Sequence, residues 1–417
     1  MKKQLRFLFL VCSIAGYSAI TWAQPSIGIF ADKNYYILSS DEQLNVSIAG
    51  EGDAQREVVV DVHLGLIGPD GKIYEYPDWN TQLKPWLPSF RVPAGFKYEP
   101  HVFFNLQQFP HLSAGPWRAA AAVTKPGTLE IISFASQWIN VMVPDSAGSR
   151  FGFLTMNDSK VGQTISQNAS GSFIEFNFGG QLDPDKIDQI IKNMAASSVP
   201  IDQCQYTETK SKFDPLNPLP GTSPVFLDAG EKLTLSSEGG NTVDVPVNDN
   251  LKAAGFFIYQ ADLPGGFYEG QGKYTFAGEG GSQIGPFSTT LRAPAPLVLT
   301  SPNFSSGVFL HPASSDLALQ WNGQNSQGSL DVTVSTSSFD IGNIGGDVVV
   351  KTIRCRFVDD GQASIPGALL SRLDKQFGPA TFNAARSRQT AFNTEDGALD
   401  FGLYSINTSV SGSLALQ

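Results

Sequence analysis

The stretch Val58-Val59-Val60-Asp61-Val62-His63-Leu64-Gly65-Leu66-Ile67-Gly68-Pro69-Asp70-Gly71-Lys72-Ile73-Tyr74-Glu75-Tyr76 decides the fold class. Val58, Val60, Val62, Leu64 and Leu66 recur at every second position, which is the period of a strand burying one face. A helix would repeat its apolar residues at every third or fourth position instead. Pro69-Asp70-Gly71 ends the run as a turn, since proline presets φ and glycine tolerates positive values. Ile73 to Tyr76 then begins the returning strand. His63 falls among the polar positions of the alternation and is expected at solvent or at an edge.

The same grammar extends outward. Leu44, Val46 and Ile48 alternate upstream, and downstream Trp117 to Val123 and Leu129 to Phe134 flank a hairpin signal, Lys125-Pro126-Gly127-Thr128. Strands separated by turns at this spacing predict an Ig-like β-sandwich over residues 24–144. Leu227-Asp228-Ala229-Gly230 is a tight turn, Leu233 and Leu235 alternate, and Tyr274-Thr275-Phe276 leads into Gly278 to Gly281. This predicts a second sandwich over 201–295. Ala293-Pro294-Ala295-Pro296 has the composition of a semi-rigid linker. Beyond it, Leu317, Leu319 and Trp321, then Val332 and Val334, then Val348 to Phe357 predict a C-terminal sandwich over 296–417. Pro366 to Leu373 suits one short helix.

One longer amphipathic helix is expected at 184–199, inside a connecting segment 145–200. Asp183 can cap it, Pro184 fits its first position, and Ile187, Ile190, Ile191 and Met194 share a face before Pro200. The fold class is therefore mostly β, with antiparallel sandwiches in series. The 417-residue chain has 41 Gly and 26 Pro and is only 16% charged, which excludes a coiled coil and a polar disordered chain.

Residues 1–23 read as a secretory signal peptide. Lys2, Lys3 and Arg6 form the basic start, Phe7 to Ile20 the apolar stretch, and Thr21-Trp22-Ala23 the cleavage region. Its apolar run is short of a membrane span, which needs about 20 residues. Without these residues, 25 basic side chains face 39 acidic ones and the net charge moves from −11 to −14. Such a chain repels phosphate backbones, so nucleic acid is a poor partner. The exported chain keeps Cys204 and Cys355, an even pair in an oxidising compartment, as a disulfide or as two separate buried thiols.

Two short sets of motifs carry a resemblance. The run from Tyr35 to Tyr76 resembles a module of secreted bacterial β-sandwich proteins. Cys204, Leu227 to Gly230, Tyr274 with Gly278 to Phe287, Trp321-Asn322-Gly323, Cys355 and Ile365-Pro366 resemble an uncharacterised extracellular bacterial module, often found beside Ig-like or fibronectin-like domains. The resemblance implies exported sandwich architecture, in the periplasm or outside the cell, and brings no catalytic residues with it.

Signatures of chemistry are sparse. His101 and His111 stand ten apart, whereas zinc sites usually pair ligands three to five residues apart. There is no G-x-S-x-G elbow and no G-K-[ST] loop, so neither a nucleophilic serine nor a nucleotide is indicated. Asn393 to Gly397 with Asp400 reads as an acidic turn rather than a full calcium loop. No cofactor and no metal are expected. The most suggestive segment is 74–104, where Tyr76, Trp79 and Trp86 lie among further aromatics and five prolines. Exposed rings held by prolines can anchor a partner or stack on a sugar; the same rings can also pack across the sandwich end. The leading expectation is an exported, non-catalytic binding or structural module of the cell envelope that recognises a protein or glycan through its sandwich loops. The alternative is a secreted carbohydrate-active hydrolase using a carboxylate pair, a role open to any two of the 39 acidic residues that lie about 5–10 Å apart.

Overall fold

The alternation at 58–66 becomes a ten-residue strand in the computed structural model, with Val58, Val60, Val62, Leu64 and Leu66 facing the first core. The structure describes residues 24–38, 43–142, 149–177, 199–212, 223–305, 307–323, 328–339, 347–374 and 378–417. The leader 1–23 and residues 184–198 of the helix expected at 184–199 lie outside the described residues.

The first domain contains β1 (Ser26–Ala31), β2 (Tyr35–Ile37), β3 (Asn45–Glu51), β4 (Val58–Ile67), β5 (Ile73–Glu75), β6 (Leu87–Val92), β7 (Lys97–Asn105), β8 (Gly115–Thr124) and β9 (Ile131–Met142). Strands β1, β3 and β7 make a three-stranded sheet, and β2-β9-β8-β4-β5 with β6 make a six-stranded one. Ile27, Ile29, Val46 and Ile48 from the first meet Val60, Leu64, Leu66, Trp117 and Ile139 from the second in one core.

His63 corrects the sequence expectation. It is only 9% exposed, because the second face of β4 is covered as well: all seven residues from Val60 to Leu66 are buried, Asp61 and His63 on one face and Val60, Val62, Leu64 and Leu66 on the other. Its Nδ1 lies 3.3 Å from Glu75 Oε1 on the neighbouring strand. A polar slot in an alternating pattern faces water only where nothing covers that face.

The rest of the chain forms β10 (Ser149–Val161), β11 (Thr164–Asn177), β12 (Gln203–Lys212), β13 (Ser223–Phe226), β14 (Lys232–Ser237), β15 (Thr242–Pro246), the turn-like helix α1 (Asp249–Lys252), β16 (Ile258–Asp262), β17 (Lys273–Gly278) and β18 (Phe287–Arg292). After the proline stretch come β19 (Leu299–Ser301), β20 (Val308–His311), β21 (Leu317–Trp321), β22 (Ser329–Phe339), β23 (Asp347–Val358), β24 (Gln362–Ile365), α2 (Gly367–Leu370), β25 (Ala380–Ala391) and β26 (Phe401–Leu416). The helix α2 falls within the stretch expected to be helical. The protein is thus almost entirely β.

One ten-stranded sheet organises this body, in the order β12-β23-β22-β25-β26-β10-β11-β13 with β16 on β11 and β20 on β26. Segments 145–200, 201–295 and 296–417 all contribute strands to it. Two small sheets cover its length. The sheet β15-β14-β17-β18 covers one half, with Leu233, Leu235, Tyr274 and Phe276 packing on Leu154, Met156 and Phe173. The sheet β19-β21-β24 covers the other, with Leu317, Leu319, Trp321 and Ile365 on Val332, Val334, Ile353 and Phe382.

The sixteen-residue strand β26 joins these halves. Its even positions supply Tyr404 and Ile406 to one core and Val410 and Leu414 to the other. Its odd positions Phe401 and Leu403 point the opposite way, onto Tyr35, Ile37 and Met142 of the first domain. Strand periodicity alone separates these duties. At the far edge, Cys204 of β12 and Cys355 of β23 are direct register partners and form a disulfide with S–S 1.99 Å.

The expected linker is firmly held. The carbonyls of Ala295 and Pro296 accept hydrogen bonds from Arg386, and Pro296 also accepts one from Asn322 Nδ2. Further polar ties cross from the first domain to the body. Arg356 donates to Ala31 O at 2.8 Å, Lys97 pairs with Asp360 at 3.0 Å, and Asn140 donates to Asp400 O at 3.1 Å.

Candidate functional site

Two regions merit description as sites: the aromatic end of the first domain and a cleft between that domain and the body.

Tyr76, Trp79 and Trp86 converge at the aromatic end. Tyr76 lies 5.5 Å from Trp79 and 6.3 Å from Trp86, both edge-on, and Trp86 meets Phe103 at 4.4 Å. Trp79 also stands edge-on to Phe104 and Phe109, two members of the core. All three rings are half-buried and continue the first core outward. Asp61 fixes the base of this loop: its buried carboxylate accepts from Ser89 N at 2.6 Å and from Gly127 N at 2.7 Å. Those backbone donors hold its pKa below the usual carboxylate value, against the opposing effect of burial. Nearby, His111 stacks on Tyr74 at 5.8 Å, while His101 is exposed on β7. The two histidines are used differently, and among the described residues no group of three or more His, Cys, Asp or Glu is placed to hold a metal.

The cleft has a volume of about 480 Å³. Phe134, Trp138 and Arg118 line it from the first domain, and Leu291, Arg356, Arg386, Arg388 and Gln389 line it from the body. The sequence reading did not single out these arginines. A signal was present in Arg386-Ser387-Arg388, because two cations at the strand period share one face.

The four arginines have unequal surroundings. Arg386, 3% exposed, is locked to Asp359 by bonds of 2.6 and 2.9 Å and also donates to backbone carbonyls, among them Asn322 O. Asp359 accepts a further bond from Trp321 Nε1 at 2.7 Å. Arg356 lies 4.0 Å from Asp331 and donates to Ala31 O and to Gln137 Oε1. Arg118 stacks its guanidinium 4.9 Å from the Trp138 ring centre, and its buried Nε has no hydrogen-bond partner. Arg388 opens onto the cleft and has no carboxylate partner among the described residues. Desolvation lowers the pKa of Arg118. Desolvation and the charges of Arg292 and Arg386 lower that of Arg388. Two cations in this cleft therefore have no ion-pair partner among the described residues, in a chain whose net charge is −11.

No family model matches the chain, and no curated protein matches it. Among solved structures, the chain is similar to the FN1–FN3 domains of chicken CNTN1 at 9% identity, over 92% of this chain and 99% of that one, with a TM-score of 0.18. It is also similar to the yeast delta-COP-I mu-homology domain at 11% identity, over 65% of this chain and 98% of that one, with a TM-score of 0.16. Sidekick-1 immunoglobulin domains 1–5 match at 8% identity over 94% of this chain and 59% of that one, with a TM-score of 0.14. Likenesses this slight assign neither activity nor partner. The protein's class, a multi-layered β-sandwich protein, rests on the sheets themselves.

Proposed function

We propose that the protein is an exported, non-catalytic binding module of the cell envelope, acting in the periplasm or outside the cell, and that it recognises a protein or glycan. The observation that carries this reading is the arginine-lined cleft, where Arg118 and Arg388 have no ion-pair partner among the described residues. A purely structural seam gains nothing from unpaired cations along its wall, whereas a binding site uses them to hold and select an anion. The Cys204–Cys355 bridge supports residence in an oxidising compartment. Among the described residues no helix is long and apolar enough to cross a membrane. Tyr76, Trp79 and Trp86 form a second, loop-borne recognition surface in this proposal, in keeping with the resemblance to secreted bacterial sandwich modules.

Crosslinking the purified exported protein to intact envelope fractions tests the reading. The expected result is a discrete macromolecular adduct that excess unlabelled protein competes away. No adduct, or release of a cleavage product from an envelope glycan, would overturn it.

A further inference from the structure

We infer that the cleft between the first domain and the body takes up the carboxylate of an acidic sugar, held by Arg118 and Arg388. The inference rests on the reading of the protein as a binding module and supplies that module's ligand chemistry.

Charge is the first argument. Arg386 is satisfied by Asp359 and Arg356 stands beside Asp331, so two of the four cleft arginines have acids close by. Neither Arg118 nor Arg388 has an ion-pair partner among the described residues; Asp359, already bound by Arg386, acts on Arg388 only beyond contact distance, while Arg292 and Arg386 oppose its charge. Guanidinium groups favour carboxylates because planar N–H donors match paired oxygens. Neither a lysine nor a helix N-terminus lines these walls among the described residues, and those are the groups that commonly capture phosphate.

The rest of the lining selects the body that carries the carboxylate. Gln271 and Gln389 line the cleft, and no hydrogen bond engages either side-chain amide among the described residues. An amide offers both donors and acceptors, as vicinal hydroxyls require. Phe134, 42% exposed, adds a flat apolar face from the first domain. Carboxylate, hydroxyls and a ring face occur together in a uronic acid. The volume of about 480 Å³ lies within the ~300–1,000 Å³ range of small-ligand pockets. Because both domains contribute walls, their polar ties (Arg356 to Ala31 O, Asn140 to Asp400 O) keep the site assembled before a ligand arrives.

The test is titration calorimetry of the full exported chain with a panel of monomeric uronates, their neutral parent sugars, oligouronides and a set of acidic peptides. Uronates are expected to bind at least tenfold more tightly than the neutral sugars, and more weakly as salt rises. Arg118→Gln and Arg388→Gln should each weaken uronate binding at least tenfold. Arg388→Gln should leave the melting temperature unchanged or slightly raised, since the side chain has no ion pair to lose and the charges of Arg292 and Arg386 oppose it. Tighter binding of oligouronides would assign the acid to a polysaccharide, and equal binding to a free sugar acid; both support the site. Absence of uronate binding, equal binding of neutral sugars, unchanged affinity in both variants, or preference for acidic peptides would each overturn it. Envelope crosslinking that persists in the double variant would remove the cleft while keeping the binding module. Uronate binding without any envelope adduct would do the reverse.

Discussion

Arg386 donates to Asp359 through both Nε and a terminal nitrogen, at 2.6 and 2.9 Å, with both side chains almost completely buried. This pair fastens four stretches together. Asp359 follows β23 and also receives the indole of Trp321, while Arg386 on β25 reaches the carbonyls of Ala295, Pro296 and Asn322. The proline-rich stretch that reads as a linker is thereby fixed against the sheet.

Removing one partner of this pair should be costly, because it leaves a buried charge uncompensated. Arg386→Met or Asp359→Leu is expected to destabilise the body by about 3–5 kcal/mol, whereas the double variant should recover much of that loss. Urea denaturation followed by near-ultraviolet circular dichroism reads the effect. Single variants within about 0.5 kcal/mol of the native protein would show that the pair is not structural.

The disulfide makes a separate prediction. Cys204 and Cys355 join residues 151 apart, and β12 has no other strand partner in the described sheet than β23. Closing so long a loop is worth up to about 5 kcal/mol in the chain-entropy model. Cys204→Ser with Cys355→Ser should therefore lower stability by about 2–5 kcal/mol. A reductant should do the same to the native protein and nothing to the variant. A non-reduced digest containing two free thiols and no linked peptide would contradict the bridge.

Acid should loosen the aromatic loop through Asp61. Its folded pKa is depressed by the backbone donors of Ser89 and Gly127, so its contribution is fully present above the unfolded value of about 3.9 and is lost as pH falls through the lower folded value. Asp61→Asn should cost about 2 kcal/mol at neutral pH, since hydrogen bonds to a charged acceptor are the stronger kind. The gap between variant and native protein should narrow as pH drops below about 4. Thermal melts across that window check the sign; a gap that widens in acid would refute it.

The alternations that built this fold were legible because strand period is local. Val60, Leu64 and Leu66 point into the first core as their spacing says, and Leu317, Leu319 and Trp321 do the same in the last. Sharing of the sheet was not legible. Nothing in Phe401 to Leu416 says that even positions serve two cores while Phe401 and Leu403 serve a third, since that depends on which distant strands flank them. His63 was misplaced for the same reason: burial of the second face is a tertiary fact. The cleft was hidden because Arg118 and Arg388 lie 270 positions apart and meet only across a domain seam.

The aromatic end decides between recognition and packing, and its geometry makes the two separable. Trp79 stands edge-on to Phe104 and Phe109 of the core, whereas Trp86 meets Tyr76 and the half-buried Phe103 farther out. Trp79→Ala should therefore reduce stability more, by about 2–3 kcal/mol, somewhat below the ~3–5 kcal/mol cost of truncating a fully buried ring. Trp86→Ala should lower stability by about 1 kcal/mol, the scale of one edge-on aromatic pair. If these rings also anchor a partner, Trp86→Ala should lose envelope crosslinking out of proportion to that small stability change, because aromatic anchors dominate binding energy. The paired measurement is a denaturation curve and an adduct yield on the same preparation. Undiminished adduct from Trp86→Ala would leave the rings as packing alone and return recognition to the cleft.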